Sequence, residues 1–194
     1  MQNIMIFVEG EGDSRAAPLL IRRILFEWYN VYTWNARAIK IRNANYLLRR
    51  FSDIIRYSNS RIDTHAILVL LDSDDTCPIE SACRILSCVR NGTIFVDKPL
   101  AIVFSVREFE AWFLASAKHI WGVNVPNPEN PRDAKGAVRK LLGGEYSPTI
   151  HQENLVSRMN LKEAYENSRS FRRLVSAINE LTAHVLLSPS IPCD

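Results

Sequence analysis

The feature that most constrains this chain is the run Ile67-Leu68-Val69-Leu70-Leu71-Asp72-Ser73-Asp74-Asp75. Five consecutive aliphatic residues form a strand buried on both faces, as in a parallel sheet covered by helices. Asp is a poor strand former, so the strand is expected to stop at Leu71 or Asp72. Three carboxylates then crowd its C-terminal end, where open α/β sheets bind their ligands. Like charges that close repel unless a proton or a cation relieves them, and an all-oxygen set suits a hard ion such as Mg²⁺ or Mn²⁺. The competing reading is a solvated acidic turn in which Asp75 or Thr76 caps the next helix.

The rest of the chain supplies the partners for that strand. Asn3 to Val8 is a first apolar run ending in Glu9-Gly10-Glu11-Gly12-Asp13, a glycine-bearing turn whose Asp13 or Ser14 can cap a helix from about 15 to 29. Val31 to Ile41 reads as a second strand and 45–60 as a second helix, with Leu47, Leu48, Phe51, Ile54 and Ile55 on its inner side. The central strand spans 65–71, a third helix 78–89 with Pro78 in its first turn, and a fourth strand Leu100 to Val106. Strand alternating with helix over 106 residues predicts a parallel four-stranded α/β sheet flanked by helices. After Ser105 the pattern becomes helical: about 107–119, 132–142, 151–167 and 169–186, interrupted by a three-proline loop at 124–131. The expected division is a metal-binding catalytic core at 1–120 and a helical extension at 121–194 packed on it.

Composition narrows the class. With 47% hydrophobic and 23% charged residues the chain is an ordinary globular protein. No stretch nears the roughly 18 apolar residues needed to cross a bilayer, and the N-terminus enters a strand without a signal-peptide pattern, so the expected location is cytoplasmic, with no membrane partner. Cys77, Cys83, Cys88 and Cys193 lack metal-binding spacing and read as reduced structural thiols. His65, His119, His151 and His184 show no ligand spacing either; His151, near Glu153, is the one candidate for proton transfer. The net charge of +3 is unevenly spread: Arg37 to Arg61 holds seven basic residues and one acid, Asp53. Arg42, Arg49 and Arg50 on that face are the candidates for contact with a phosphate backbone, against the alternative of an ordinary wet helix surface.

Three strands therefore end in carboxylates: Glu9 with Asp13, Asp72 with Asp74 and Asp75, and Glu108 with Glu110. In a parallel sheet all face one edge. Val8-Glu9-Gly10 with Asp13, followed by an apolar strand ending Asp72-Ser73-Asp74, resembles the Toprim domain, and the Glu-x-x-x-Asp spacing is closest to its overcoming-lysogenization-defect nuclease branch. Arg107-Glu108-Phe109-Glu110-Ala111-Trp112-Phe113-Leu114-Ala115, with Lys135, Tyr146 and Ser170-Phe171, resembles the pattern of a large bacterial family with Toprim-like features.

The resemblance implies a Mg²⁺- or Mn²⁺-dependent nuclease, a hydrolase in which Glu9, Asp72, Asp74 and Lys135 are catalytic. Glu9, Asp13, Asp72, Asp74 and either Glu108 or Glu110 would hold metal. Nucleic acid is the implied partner, DNA ahead of RNA. An ABC-type ATPase encoded nearby is implied too, with this chain as the effector of a bacterial defence system. The oligomeric state is left open. The chemistry agrees: two ions about 4 Å apart activate a nucleophile and stabilise a leaving oxygen. Asp72 and Asp74 would share one side of an extended chain, and Lys135, with Arg139 and Lys140 as rivals, would neutralise transition-state charge. Glu11 and Asp75 read as exposed turn acids, Trp112, Phe113 and Trp121 as core, and Tyr146 as a packing residue rather than a covalent nucleophile.

Two alternatives stand beside this. Asp72-x-Asp74-x-Thr76 also resembles the first motif of haloacid-dehalogenase-type phosphatases, with Asp72 as nucleophile, Asp74 as general acid, and Ser105 and Lys135 in later motifs. The other is a non-catalytic Toprim-like interaction module.

Overall fold

The computed structural model describes residues 1–91 and 94–186. Its element order is β1 (Gln2–Val8), α1 (Glu11–Tyr29), β2 (Trp34–Lys40), α2 (Ala44–Ser60), β3 (Ala66–Asp72), α3 (Pro78–Arg90) and β4 (Leu100–Ser105). Helices follow: α4 (Ala111–Ala115), α5 (Ala117–Trp121), α6 (Ala134–Leu142), α7 (Pro148–Arg158), α8 (Leu161–Asn167) and α9 (Arg169–Leu186). The expected α/β class is what forms: one four-stranded sheet, all parallel, in the order β2-β1-β3-β4.

That order has a consequence for function. From β1 the chain steps outward to β2, then returns to place β3 on the other side of β1. The connections leave β1 and β3 in opposite directions, which makes the gap beyond their carboxyl ends the topological switch point where such sheets bind ligands. Glu9 follows β1 and Asp72 closes β3, so both acids flank that gap.

The two-residue period of the strands sorts their side chains into two cores. Ile4, Ile6, Val8, Leu68, Leu70 and Val103 face α1 and the helices after β4. Met5, Phe7, Ile67, Val69, Leu71 and Phe104 face α2 and α3. The helices beyond 121 share the first cluster continuously with the sheet, through Val138, Leu155, Phe171 and Ile178 among others. Trp112 and Phe171, both fully buried, meet edge-to-face at 5.6 Å, and the Trp112 indole donates to Ser170 at 2.8 Å. Glu129 accepts from Ser168 Oγ, Ser170 Oγ and Ser170 N at 2.6–2.8 Å, tying the proline loop to the start of α9. The Ser170-Phe171 motif is thus a docking device for the last helix.

Several boundaries differ from the sequence reading, each for a local reason. Helix α1 starts at Glu11, with Gly10 as its cap; Asp13 sits three residues beyond that cap and accepts from Gly10 N at 2.9 Å. The 107–119 segment is not one helix. Arg107 takes φ 67, turning the chain before α4, and Ser116 separates α4 from α5. The 151–167 segment breaks at Met159, where Asn160 caps α8 through Glu163 N. Trp112 and Phe113 are core as expected, and Trp121 packs half-buried against it. Cys77 and Cys83 are exposed free thiols; the side chains of Cys88, Cys193 and His184 lie outside the described residues. Among the described residues no helix is long and apolar enough to cross a membrane.

Helix α1 meets α7 at unusually close range. A Cβ added at Gly12 would lie 2.3 Å from Gln152 Oε1 and 2.7 Å from the backbone of Pro148. Gly12→Ala is therefore expected to force the two helices apart and to cost about 1–3 kcal/mol, the usual range for overpacking. Urea denaturation measures it, and a midpoint equal to that of the unchanged protein would show that the packing gives way freely.

Candidate active site

The register of β3 on β4 places Asp72 directly beside Ser105, on the sheet face that looks toward α1. Ser105 Oγ donates to Asp72 Oδ1 at 2.6 Å, and Phe109 N donates to the same oxygen at 2.9 Å. Both bonds orient the carboxylate through Oδ1, and Asp72 lines the cleft. Burial, the Asp13 charge and the Glu110 charge push the Asp72 carboxyl up to about 8, against the lowering pull of Ser105 and Lys135.

The other acids arrive from separate elements. Glu9 is held by the backbone N–H of Ala44 at the start of α2, yet burial, with Asp74 and Asp13 nearby, keeps its carboxyl above the usual range. Asp13, 9% exposed, accepts from Gly10 N and from Gln152 Nε2, both at 2.9 Å. Glu110 is fully buried; its Oε1 accepts from Tyr146 Oη at 2.7 Å and Gln152 Nε2 at 3.0 Å. Its Oε2 has no partner. Burial raises its carboxyl, opposed by Lys135, Tyr146 and Gln152.

Glu108 and Glu110, interchangeable in the sequence, have different jobs. Glu108 accepts from Lys135 Nζ and Lys135 N, each at 2.9 Å, so it is the counter-ion that orients the lysine and the acceptor for the first turn of α6. Burial works against the Lys135 charge, but Glu110, Glu108 and Asp72 outweigh it and hold the ammonium above the usual lysine range. Of the three basic residues weighed for this role, Lys135 lines the acid cleft, while Arg139 and Lys140 are exposed and Arg139 lines a neighbouring recess.

The cleft has a volume of about 410 Å³, and its lining includes Glu9, Asp13, Asp72, Lys135, Arg42 and Gln152. Asp74 is exposed, takes φ 47 in a left-handed turn and does not line the cleft, so the extended chain expected to align it with Asp72 is not there. Its charge still acts on Glu9. Glu11 pairs with Lys40 at 3.0 Å, and Asp75 pairs with Arg107 and Arg132, as befits surface acids.

The basic face is largely paired as well: Arg37 and Arg61 meet Asp63, and Arg50 and Arg56 meet Asp53. Among the described residues Arg42 and Arg49 form no ion pair, and only Arg42 of the three candidates reaches the cleft.

One participant escapes the sequence reading, and a second has a bond that reading did not give it. Gln152 bridges Asp13 and Glu110 from α7, and no spacing rule links position 152 to positions 13 or 110. Tyr146 does pack against the core as expected, and it also donates to Glu110. Burial and the Glu110 charge hold its phenol well above the usual range, so it keeps its proton and is no phenolate nucleophile. His151 accepts from Ser147 N at 3.0 Å and packs on Tyr146 beside the cluster.

Whether a divalent ion fits can be judged from these groups. Among the described residues no three His, Cys, Asp or Glu side chains are already gathered at ion-binding geometry. The donor set is nevertheless all oxygen, three of its carboxyls are raised by burial and mutual repulsion, and Glu110 Oε2 is buried without a partner. A buried, unpaired carboxylate oxygen costs free energy that a cation would recover. The residues fit a hard cation.

The fold and site together define a parallel α/β protein with a carboxylate-lysine cluster at its switch point. The chain belongs to the family described as Domain of unknown function (DUF4276), whose model matches residues 8–179. No curated protein and no solved structure matches the chain.

Proposed function

We propose that this protein is a divalent-metal-dependent phosphodiesterase of Toprim type that hydrolyses nucleic acid. The observation that carries the reading is the convergence of Glu9, Asp13, Asp72 and Glu110 with Lys135 at the β1/β3 switch point, beneath a cleft whose mouth holds Arg42. Asp72, Glu9, Asp13, Glu110 Oε2 and, from the turn after β3, Asp74 would hold Mg²⁺ or Mn²⁺. Such ions, when bound, activate water and stabilise the leaving oxygen. Lys135, fixed by Glu108, places a permanent positive charge where a phosphorane-like transition state gathers negative charge. Arg42 draws the phosphate backbone to the cleft. The Toprim resemblance extends the reading to the effector of a bacterial defence pair with an ABC-type ATPase.

The decisive assay is hydrolysis of supercoiled plasmid, linear duplex, single-stranded DNA and RNA with Mg²⁺, Mn²⁺ or EDTA, with and without the neighbouring ATPase. Cleavage that requires the ion and vanishes in Asp72→Asn is expected; cleavage indifferent to EDTA would refute the reading. The phosphatase alternative gains less support. It would use Ser105 to bind the transferred phosphate, whereas that hydroxyl is spent on Asp72, and it leaves Glu9 and Asp13 without a task. A phosphoryl group trapped on Asp72 from a phosphomonoester would decide for it.

Arg42 makes a separate prediction. DNA affinity should fall steeply with salt, and Arg42→Ala with Arg49→Ala should flatten the slope of log K against log salt by about one to two, near 0.9 for each phosphate that is no longer neutralised. Metal affinity should not change. A slope equal to that of the unchanged protein would remove these residues from the interface.

A further inference from the structure

Gln152 is 1% exposed and comes from a helix of the C-terminal extension, yet both hydrogens of its amide nitrogen are spent on acids of the core. One goes to Asp13 Oδ1 at 2.9 Å and the other to Glu110 Oε1 at 3.0 Å. A neutral double donor between two carboxylates holds them side by side without adding a counter-charge that would compete with a cation. It also decides which oxygens remain. Asp13 Oδ2 is occupied by Gly10 N, and Glu110 Oε1 is doubly occupied by Gln152 and Tyr146, so Glu110 presents Oε2 alone. The amide is itself wedged: its Oε1 has no partner and lies against Gly12, where even a methyl group would clash. An amide packed against Gly12 and bonded to two acids from two other elements sets the geometry of both.

From this we infer that Gln152 is the positioning residue of the cleft, fixing Asp13 and Glu110 so that Glu110 offers a single oxygen to a divalent cation. The inference rests on the metal-dependent reading above and adds to it that α7 is part of the working site. Outer partners of ligating carboxylates typically set metal affinity by about 10–100-fold.

The test compares the full chain with Gln152→Met and Gln152→Glu by calorimetric titration with Mn²⁺, alongside melting curves in EDTA and steady-state hydrolysis. Met keeps the unbranched bulk of Gln152 and loses both donors, so a residue that merely fills space would tolerate it. Gln152→Met should melt within a few degrees of the unchanged protein in EDTA, bind Mn²⁺ about 10–100-fold more weakly, and lower kcat with little change in KM for nucleic acid. Gln152→Glu, which replaces the donor with a third carboxylate, should not restore kcat. Equal Mn²⁺ affinity in Gln152→Met and the unchanged protein overturns the positioning role and leaves the metal reading standing. If the unchanged protein takes up no Mn²⁺, the metal reading falls and this role falls with it.

Discussion

Asp72→Asn is expected to stabilise the metal-free protein at pH 8 and, in the same protein, to abolish the rise in melting temperature that Mn²⁺ produces. The sign follows from linkage. The Asp72 carboxyl stands at about 8 when folded, against about 3.9 in an unfolded chain. Between those values the folded state binds more protons, so stability contributed by this group is present at low pH and is lost as pH rises toward 8. Asn cannot ionise, and its Oδ1 can still accept from Ser105 and Phe109 N, so the variant escapes that loss while keeping both bonds. A chain of this size shifts by roughly 2–4 °C for each kcal/mol, which makes the difference measurable. Metal reverses the ranking. An ion that binds only the folded carboxylates stabilises by mass action, and it must displace the Asp72 proton, so Mn²⁺ affinity should climb steeply from pH 6 to pH 8. Melting curves of both proteins at pH 5, 6.5 and 8, in EDTA and in millimolar Mn²⁺, measure all of this. Parallel curves for the two proteins under every condition would mean that Asp72 carries no buried charge and holds no ion.

The second large effect concerns turnover. Glu9→Ala and Asp74→Ala should each reduce kcat by about 10³-fold or more, and the double variant should be little worse than either single one, because groups that act as one unit are grossly non-additive. Asp74 is the sharper probe. It stands exposed in a left-handed turn, while Glu9 is partly buried and held at the start of α2. If Asp74→Ala keeps full activity while Glu9→Ala is dead, the working set is Glu9, Asp13, Asp72 and Glu110, and Asp74 only shapes the loop. If both retain activity, the chemistry is elsewhere.

Much of the architecture is legible in the sequence by itself. The aliphatic run of β3 can bury both faces only inside a helix-covered parallel sheet, and the helical periods of α1, α2 and α3 place the covering layers. Those are local patterns, governed by which side chains can leave water together. The same patterns put carboxylates at the ends of β1 and β3 and after β4, which is why Glu9, Asp13 and Asp72 stand out as candidates.

What only the tertiary structure decides is how those acids divide the work. Strand order β2-β1-β3-β4 brings Glu9 and Asp72 to one cleft, and no local pattern encodes strand order. The left-handed backbone at Arg107 and the turn that follows send Glu108 to the lysine of α6 and Glu110 into the interior, although the two residues are near neighbours in the chain. The same turn chemistry at Asp74 breaks the extended alignment with Asp72. Gln152 and Tyr146 join the site because α7 packs on α1 through Gly12, an approach between distant parts of the chain that depends on side-chain fit. Periodicity reports burial along one element; the pairing of polar groups between elements is fixed only when the whole core closes and each buried oxygen must find a donor.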